Sequence, residues 1–185
     1  MRQAGFAGRW RHRPEAFEGG WITRSDDGLT WLDPDGLLTQ AVLVSEDSPL
    51  GWYYNQHREQ GDPLILHPTA IVEITLEFFR LLYLLIKPLA GTGRWQHHVC
   101  CRRFRSHQVN LGEQESGLPA AIAGRQLASS DDWTKQFEEH GDPHRDAFEA
   151  LARFYALFGL SSESVPLVDA GAVSESALVA LGMTD

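Results

Sequence analysis

The sequence predicts an α+β fold, in which an antiparallel sheet, made of a meander plus a hairpin, packs on a long central helix and is followed by a C-terminal helical segment. Three observations support this prediction. Short strand candidates separated by turn residues fill the first part of the chain. One long apolar stretch with helical spacing follows them. The last part shows helical patterns with capping residues, and such segregation of strands from helices is typical of α+β proteins.

The first strand candidates predict a three-stranded meander. Residues 21–24 and 29–32 are rich in apolar and β-branched residues, and the Ser-Asp-Asp-Gly turn at 25–28 separates them. The Asp-Pro-Asp-Gly turn at 33–36 leads into a third strand over 37–44. Because connections this short cannot join parallel strands, we expect all three to be antiparallel.

Further strands are predicted on both sides of the long helix. Residues 51–56 and 64–66 predict a hairpin around the Gln-Gly-Asp-Pro turn at 60–63. After the helix, residues 94–105 predict a strand, with 108–111 as its short partner.

The strongest element is a helix that begins at Pro68 or Thr69 and ends at Lys87. Proline suits the first helical turn, where its missing N–H is no loss, and Pro88 cannot continue the helix. Apolar residues cover most of its surface and leave a narrow polar stripe: Glu73, Glu77 and Arg80. So wide an apolar arc needs a second covering layer, either the C-terminal helices or another subunit. The interface residues expected there are Phe79, Leu82 and Ile86.

The predicted organisation has four parts. Residues 1–20 form a basic N-terminal arm and residues 21–111 the α+β domain. Residues 112–128, with glycine, proline and little pattern, form a loop or linker. Residues 129–185 form a helical segment. Its helices are expected from Ser129 or Ser130 through Phe137, from Asp142-Pro143 to Phe158, and from Ser174 to Leu181.

Composition limits the class of protein. With 43% hydrophobic and 22% charged residues, the chain is ordinary for a globular protein of one domain, or of one domain with a small helical appendage. The first thirty residues lack a secretory signal and no stretch is long and apolar enough to span a membrane, so we expect no membrane. The only cysteines, Cys100 and Cys101, are adjacent and cannot form a disulfide framework, which favours the reducing cytoplasm.

The charge is unevenly distributed. The chain carries −9 overall, but residues 1–24 sum to +3 and residues 87–107 to +5. A protein this acidic is not a general polyanion binder. Its basic segments could bind an anion locally or meet acidic groups of the same chain.

The stretch from Gly93 to His107 contains three of the eight histidines and both cysteines. On a strand, alternate side chains share a face, so His98 and Cys100 would be neighbours. Zinc needs three or four converging ligands, and no Cys-x-x-Cys or His-Glu-x-x-His spacing supplies the others. The sequence therefore predicts no metal and no cofactor, with His98 and Cys100 as the only local candidates.

Arginines in the same stretch could bind phosphate. A guanidinium forks toward anionic oxygens, and nearby aromatic rings can stack on bases. Cationic side chains also protect exposed strand edges, which is the structural alternative. The candidates for phosphate or nucleic-acid binding, including those of the basic arm, are Arg94, Arg102, Arg103, Arg105, Arg9, Arg11 and Arg13.

Residues 21–105 resemble the C-terminal accessory part of bacterial AlbA-fold, Schlafen-type proteins. The matching features are the Gly20-Trp21 strand, the two turns at 25–28 and 33–36, the proline-led apolar helix and the Trp95 strand. The AlbA-like part that does the family's nucleic-acid work has no counterpart here, so no functional residue can be carried over. The resemblance implies an accessory or partner-binding role.

These observations favour a non-enzymatic module that binds a protein partner or associates with itself. No nucleophile elbow, phosphate-binding loop or dinucleotide fingerprint occurs in the sequence. The first alternative is a nucleic-acid-associated accessory protein that uses the arginine clusters. The second is a small metal-dependent hydrolase built on His98, Cys100 and a distant histidine or acid.

Overall fold

The structure is a computed structural model that describes residues 15–25, 28–42, 64–86, 94–100, 109–111, 130–136 and 141–180. It confirms the α+β class, although strands also occur among the helices of the C-terminal segment. The strands are β1 (Glu15–Phe17), β2 (Gly20–Ser25), β3 (Gly28–Leu32), β4 (Leu38–Val42), β5 (Leu64–Leu66), β6 (Arg94–Cys100), β7 (Val109–Leu111), β8 (Ser130–Gln136), β9 (Val168–Asp169) and β10 (Ala172–Val173). The helices are α1 (Pro68–Ile86), α2 (Pro143–Leu157) and α3 (Glu175–Ala180), with a 3-10 turn at Ser162–Ser164.

The predicted meander is present, and the structure adds a strand to it. β1, β2, β3 and β4 form an antiparallel sheet in that order. The added strand, β1, lies in the segment that we expected to be part of the basic arm. It forms because Glu18 and Gly19, with φ of 46° and 82°, make a tight hairpin turn that folds Glu15–Phe17 back onto β2. Residues 1–14 lie outside the described part of the chain.

The structure adds a strand pairing that the sequence did not predict. β5 pairs in parallel with β7. The hairpin expected between residues 51–56 and 64–66, and the pairing expected between residues 94–105 and 108–111, involve residues outside the described part of the chain and stay predictions. The chain between β5 and β7 contains α1, and a crossover of this kind is what joins parallel strands.

The prediction of a first helix in the C-terminal segment is wrong. Ser130–Gln136 is a strand, β8, that pairs antiparallel with β6 over seven residues. Ser130 followed by Asp131 and Asp132 is typical of a helix start, but such local preferences are weak. Pairing with β6 overrides them. The rest of the predicted strand 94–105, beyond Cys100, and the linker at 112–128 lie outside the described residues.

The other helices agree with the sequence. α1 begins at Pro68 as expected, and Lys87 lies outside the described residues. Asp142 caps α2, since its carboxylate Oδ1 accepts a hydrogen bond of 2.9 Å from the backbone N–H of His144. Ser174 caps α3 in the same way through Ala177.

One apolar core joins these elements. It contains most of α1, the inner residues of α2, and single residues of the C-terminal segment. From the four-stranded sheet, Leu38 and Val42 pack against it. Among the described residues, no helix has the length and apolar character needed to cross a membrane.

Candidate functional site

Most of the predicted phosphate-binding residues cannot be placed. Of the seven arginines only Arg94 lies in a described element, as the first residue of β6, and its side chain is not described. The others lie outside the described residues: Arg9, Arg11, Arg13, Arg102, Arg103 and Arg105. Phosphate and nucleic-acid binding therefore stay predictions.

The metal candidates lie where the alternation predicts. His98 and Cys100 occupy alternate positions of β6, opposite Asp132 and Ser130 of β8. Their side chains are not described. Among the residues that the structure describes, no group of three or more histidine, cysteine or acidic residues could hold a metal ion.

The expected interface residues of α1 are covered within the chain. The exposed fractions of Phe79 and Leu82 are 3% and 8%, and both belong to the same core cluster as residues of α2. The sequence left two candidates for the layer that covers this part of α1, the C-terminal helices and another subunit. Here the C-terminal helix α2 of the same chain covers it. The side chain of Ile86 is not described. Among the α1 side chains that the structure describes, Leu84 is the exposed apolar one, at 71%.

The polar stripe of α1 is buried at one position. Glu73 is only 2% exposed, because the first turns of α1 lie inside the core on all sides. Burial of His67, just before the helix, lowers the pKa of that imidazole. Glu73 therefore makes its polar contact inside the fold. The stripe reaches solvent only beyond Glu73, at Glu77 and Arg80.

The remaining two residues of the stripe belong to a charged cluster between all three helices. Arg80 Nη1 donates to Glu77 Oε1 at 3.0 Å, and Nη2 donates to Glu175 Oε1 of α3 at 3.0 Å. Nη2 also lies 3.4 Å from His144 Nε2 of α2. The guanidinium therefore ties α1 to both C-terminal helices.

His144 has a defined tautomer when it is neutral. Its Nδ1 lies 2.8 Å from the carbonyl oxygen of Val173, which can only accept, so Nδ1 carries the hydrogen. Nε2 then has a free lone pair, and this lone pair accepts from Arg80. A catalytic histidine would present this nitrogen to a substrate. Here the guanidinium of Arg80 contacts this nitrogen, so the cluster has the geometry of a structural contact between helices.

A second polar contact lies beside the cluster. Tyr83 Oη donates to Asp146 Oδ2 at 2.8 Å, and the Asp146 carboxylate is buried in the first turn of α2. The backbone of Gly141 comes so close that a β-carbon there would lie 2.0 Å from Tyr83 Oη. No feature of the sequence indicated this contact, because its members are about sixty residues apart.

Exposed aromatic side chains lie at the β1 edge of the four-stranded sheet. Trp21 of β2 is 57% exposed and Phe17 of β1 is 40% exposed, while every residue of β1 is exposed. The register places Ala16, Trp21, Leu32 and Leu38 in one row across the sheet, on the same face. Leu38 packs against the core at one end of this row, but the core does not extend to Trp21. We call the surface formed by Glu15–Phe17 and Trp21 the β1 edge.

Comparisons with protein-family models, with curated proteins and with solved structures find no match in any of the three. The resemblance of residues 21–105 to the Schlafen-type accessory region therefore stays a prediction. Function has to be argued from the described residues themselves.

Proposed function

We propose that the protein is a non-enzymatic interaction module that binds a protein partner, or another copy of itself, through the β1 edge. The observation that supports this proposal is the exposure of Trp21 on an ordered strand. Large aromatic side chains dominate the energetics of protein interfaces, because they bury much apolar area at little cost in conformational entropy.

The charged cluster supports the same class of function. Its arginine contacts Glu77, Glu175 and His144, so these contacts all lie within the chain. Ties of this kind hold a scaffold together. A rigid scaffold is what an interaction surface needs, since ordering it on binding would reduce affinity.

The test compares association of the wild-type chain and of Trp21→Ser. Light scattering across a dilution series measures self-association, and a pull-down with the purified chain as bait measures partner binding. We expect the wild type to associate or retain a partner, and Trp21→Ser to lose that binding. Leu84→Ser is the matched control, because Leu84 is more exposed than Trp21 but lies on α1.

A strict monomer that retains no partner at any concentration would refute the proposal. Equal binding by wild type and Trp21→Ser, with loss in Leu84→Ser, would move the interaction to the helix. Nucleic-acid binding stays the alternative, supported by the charge of +5 over residues 87–107. Retention of labelled DNA or RNA that weakens steeply with salt would favour it.

A further inference from the structure

The β1 edge has the geometry that accepts another strand. Among the described strands, β1 is the outer strand of its sheet, and all three of its residues are exposed. In a hairpin with a two-residue turn, Phe17 and Gly20 form the closing hydrogen-bonded pair. The next pair, Ala16 and Trp21, is therefore a non-hydrogen-bonded pair. The N–H and C=O groups of Ala16 consequently point away from β2, to the side on which no described strand pairs with β1.

The two faces of this edge suit side chains that alternate. A strand added beside β1 would place one side chain next to Ala16, on the face of Trp21, and its neighbours next to Phe17, on the other face. Ala16 is small, so a large apolar side chain could reach over it to the Trp21 ring. Exposed aromatic residues on both faces of one edge fit strand addition better than docking on a single face.

The charge around the edge selects the added strand. Among the described residues 15–25 and 28–42, four acids stand against Arg24 alone, a sum of −3. Arg24 already pairs with Glu15 at 3.3 Å. Glu18 lies in the β1–β2 turn, which approaches the next hairpin closely, since a β-carbon on Gly19 would lie 3.2 Å from Pro34 Cγ. That hairpin contributes Asp35, which is exposed.

We infer that the β1 edge binds an extended basic peptide segment of a partner protein by strand addition, with an apolar side chain against Trp21 and basic side chains near Glu18 and Asp35. This inference rests on the proposed function, because it names the partner chemistry of the same surface. A second copy of β1 is a poorer occupant, since it would bring its own Glu15 and Glu18 against those of the first. Complementary charge also speeds the encounter of the two chains.

The experiment is a titration of the full chain into a short labelled peptide of alternating valine and lysine, followed by fluorescence anisotropy. Three matched peptides replace lysine by glutamine, replace lysine by glutamate, or place proline at the centre. We expect the lysine peptide to bind best and the glutamate peptide worst. The proline peptide should lose binding, because it cannot donate to the carbonyl of Ala16.

Variants of the chain locate the site. Trp21→Ser should weaken binding of the lysine peptide about tenfold, as for a central aromatic anchor. Glu18→Gln combined with Asp35→Asn should weaken it roughly three- to tenfold, the effect of two exposed charge contacts. Leu84→Ser should leave it unchanged. Unfolding midpoints of all variants show whether the fold is intact, and the peptide series holds even if one variant does not fold.

The outcomes separate this inference from the proposed function. Equal binding of the lysine, glutamine and glutamate peptides, unimpaired binding of the proline peptide, or no binding of any peptide would overturn the inference. If Trp21→Ser still abolishes association in the light-scattering or pull-down assay, the proposed function stands without it. A dimer through β1 that excludes the peptide would also overturn it, since the occupant would then be a second copy.

Discussion

Gly141→Ala tests how tightly α1 and the start of α2 are packed. The new β-carbon would lie 2.0 Å from Tyr83 Oη and 2.9 Å from Tyr83 Cζ, both too close for any real contact. The tyrosine ring has to move. Its hydrogen bond of 2.8 Å to the buried carboxylate of Asp146 then breaks or lengthens. The substitution, just before α2, therefore acts through the Tyr83 side chain of α1.

The size of the effect follows from three contributions. Loss of a hydrogen bond to a charged group costs about 1.5–3 kcal/mol. Displacement of a well-packed ring costs about 1–3 kcal/mol. Replacing glycine by alanine stabilises the folded state by about 0.4–1 kcal/mol, because it lowers the conformational entropy of the unfolded chain. We expect Gly141→Ala to lower the free energy of unfolding by about 1.5–5.5 kcal/mol, the sum of these terms.

Urea denaturation of a double-mutant cycle is the assay. Tyr83→Phe alone removes the hydrogen bond and should cost about 1.5–3 kcal/mol. It also removes the atom that clashes most with the new β-carbon, so the double variant should cost less than the sum of the two single variants. Strictly additive effects, or a stable Gly141→Ala variant, would refute the close contact between Gly141 and Tyr83.

Three further predictions concern the core, the pH dependence and a turn. Phe79→Asp places a charge in the core beneath α2 and should cost several kcal/mol, with loss of a cooperative unfolding transition in a chain that stays monomeric; an unchanged transition would contradict the burial of Phe79. Because burial lowers the pKa of His67 from the ordinary value of 6.5, the unfolded chain takes up a proton first as the pH falls. Stability should therefore decrease below about pH 7, and His67→Asn should flatten that slope in urea denaturation at several pH values; equal slopes would contradict it. Ala170, with φ of 48° next to Gly171 at 76°, occupies a turn position that asparagine prefers. Ala170→Asn should therefore raise the free energy of unfolding by about 0.5–1 kcal/mol. A loss of stability would contradict this turn geometry.

Local signals predicted the elements that depend on neighbouring residues. Pro68 placed the start of α1, and Asp142-Pro143 placed the start of α2, because caps and proline act within one turn. The turn at 33–36 predicted the β3–β4 hairpin for the same reason. The fold class followed from these elements.

Contacts between distant residues could not be predicted in this way. β8 was expected to be a helix because its acids resemble a helix start, and its pairing with β6 is invisible in a local pattern. The parallel pairing of β5 with β7 depends on where α1 packs. The charged cluster joins residues up to 95 positions apart, and only Glu77 and Arg80 of it could be seen as a stripe on one helix.

The candidate surface was only partly visible in the sequence. Trp21 was recognised as a strand residue, but its exposure depends on where the core ends beneath the sheet. β1 itself was missed because three residues carry too little pattern. The Glu18-Gly19 pair was the signal that could have revealed the hairpin.

Amide hydrogen exchange of Ala16 tests the β1 edge most directly. In the free chain its N–H points away from β2 and should exchange rapidly, whereas the amide of Phe17, which points toward β2, should be protected. Saturation with the valine–lysine peptide should slow exchange at Ala16, whereas the proline peptide should not change it. Rapid exchange at Ala16 with the lysine peptide bound would contradict strand addition at β1.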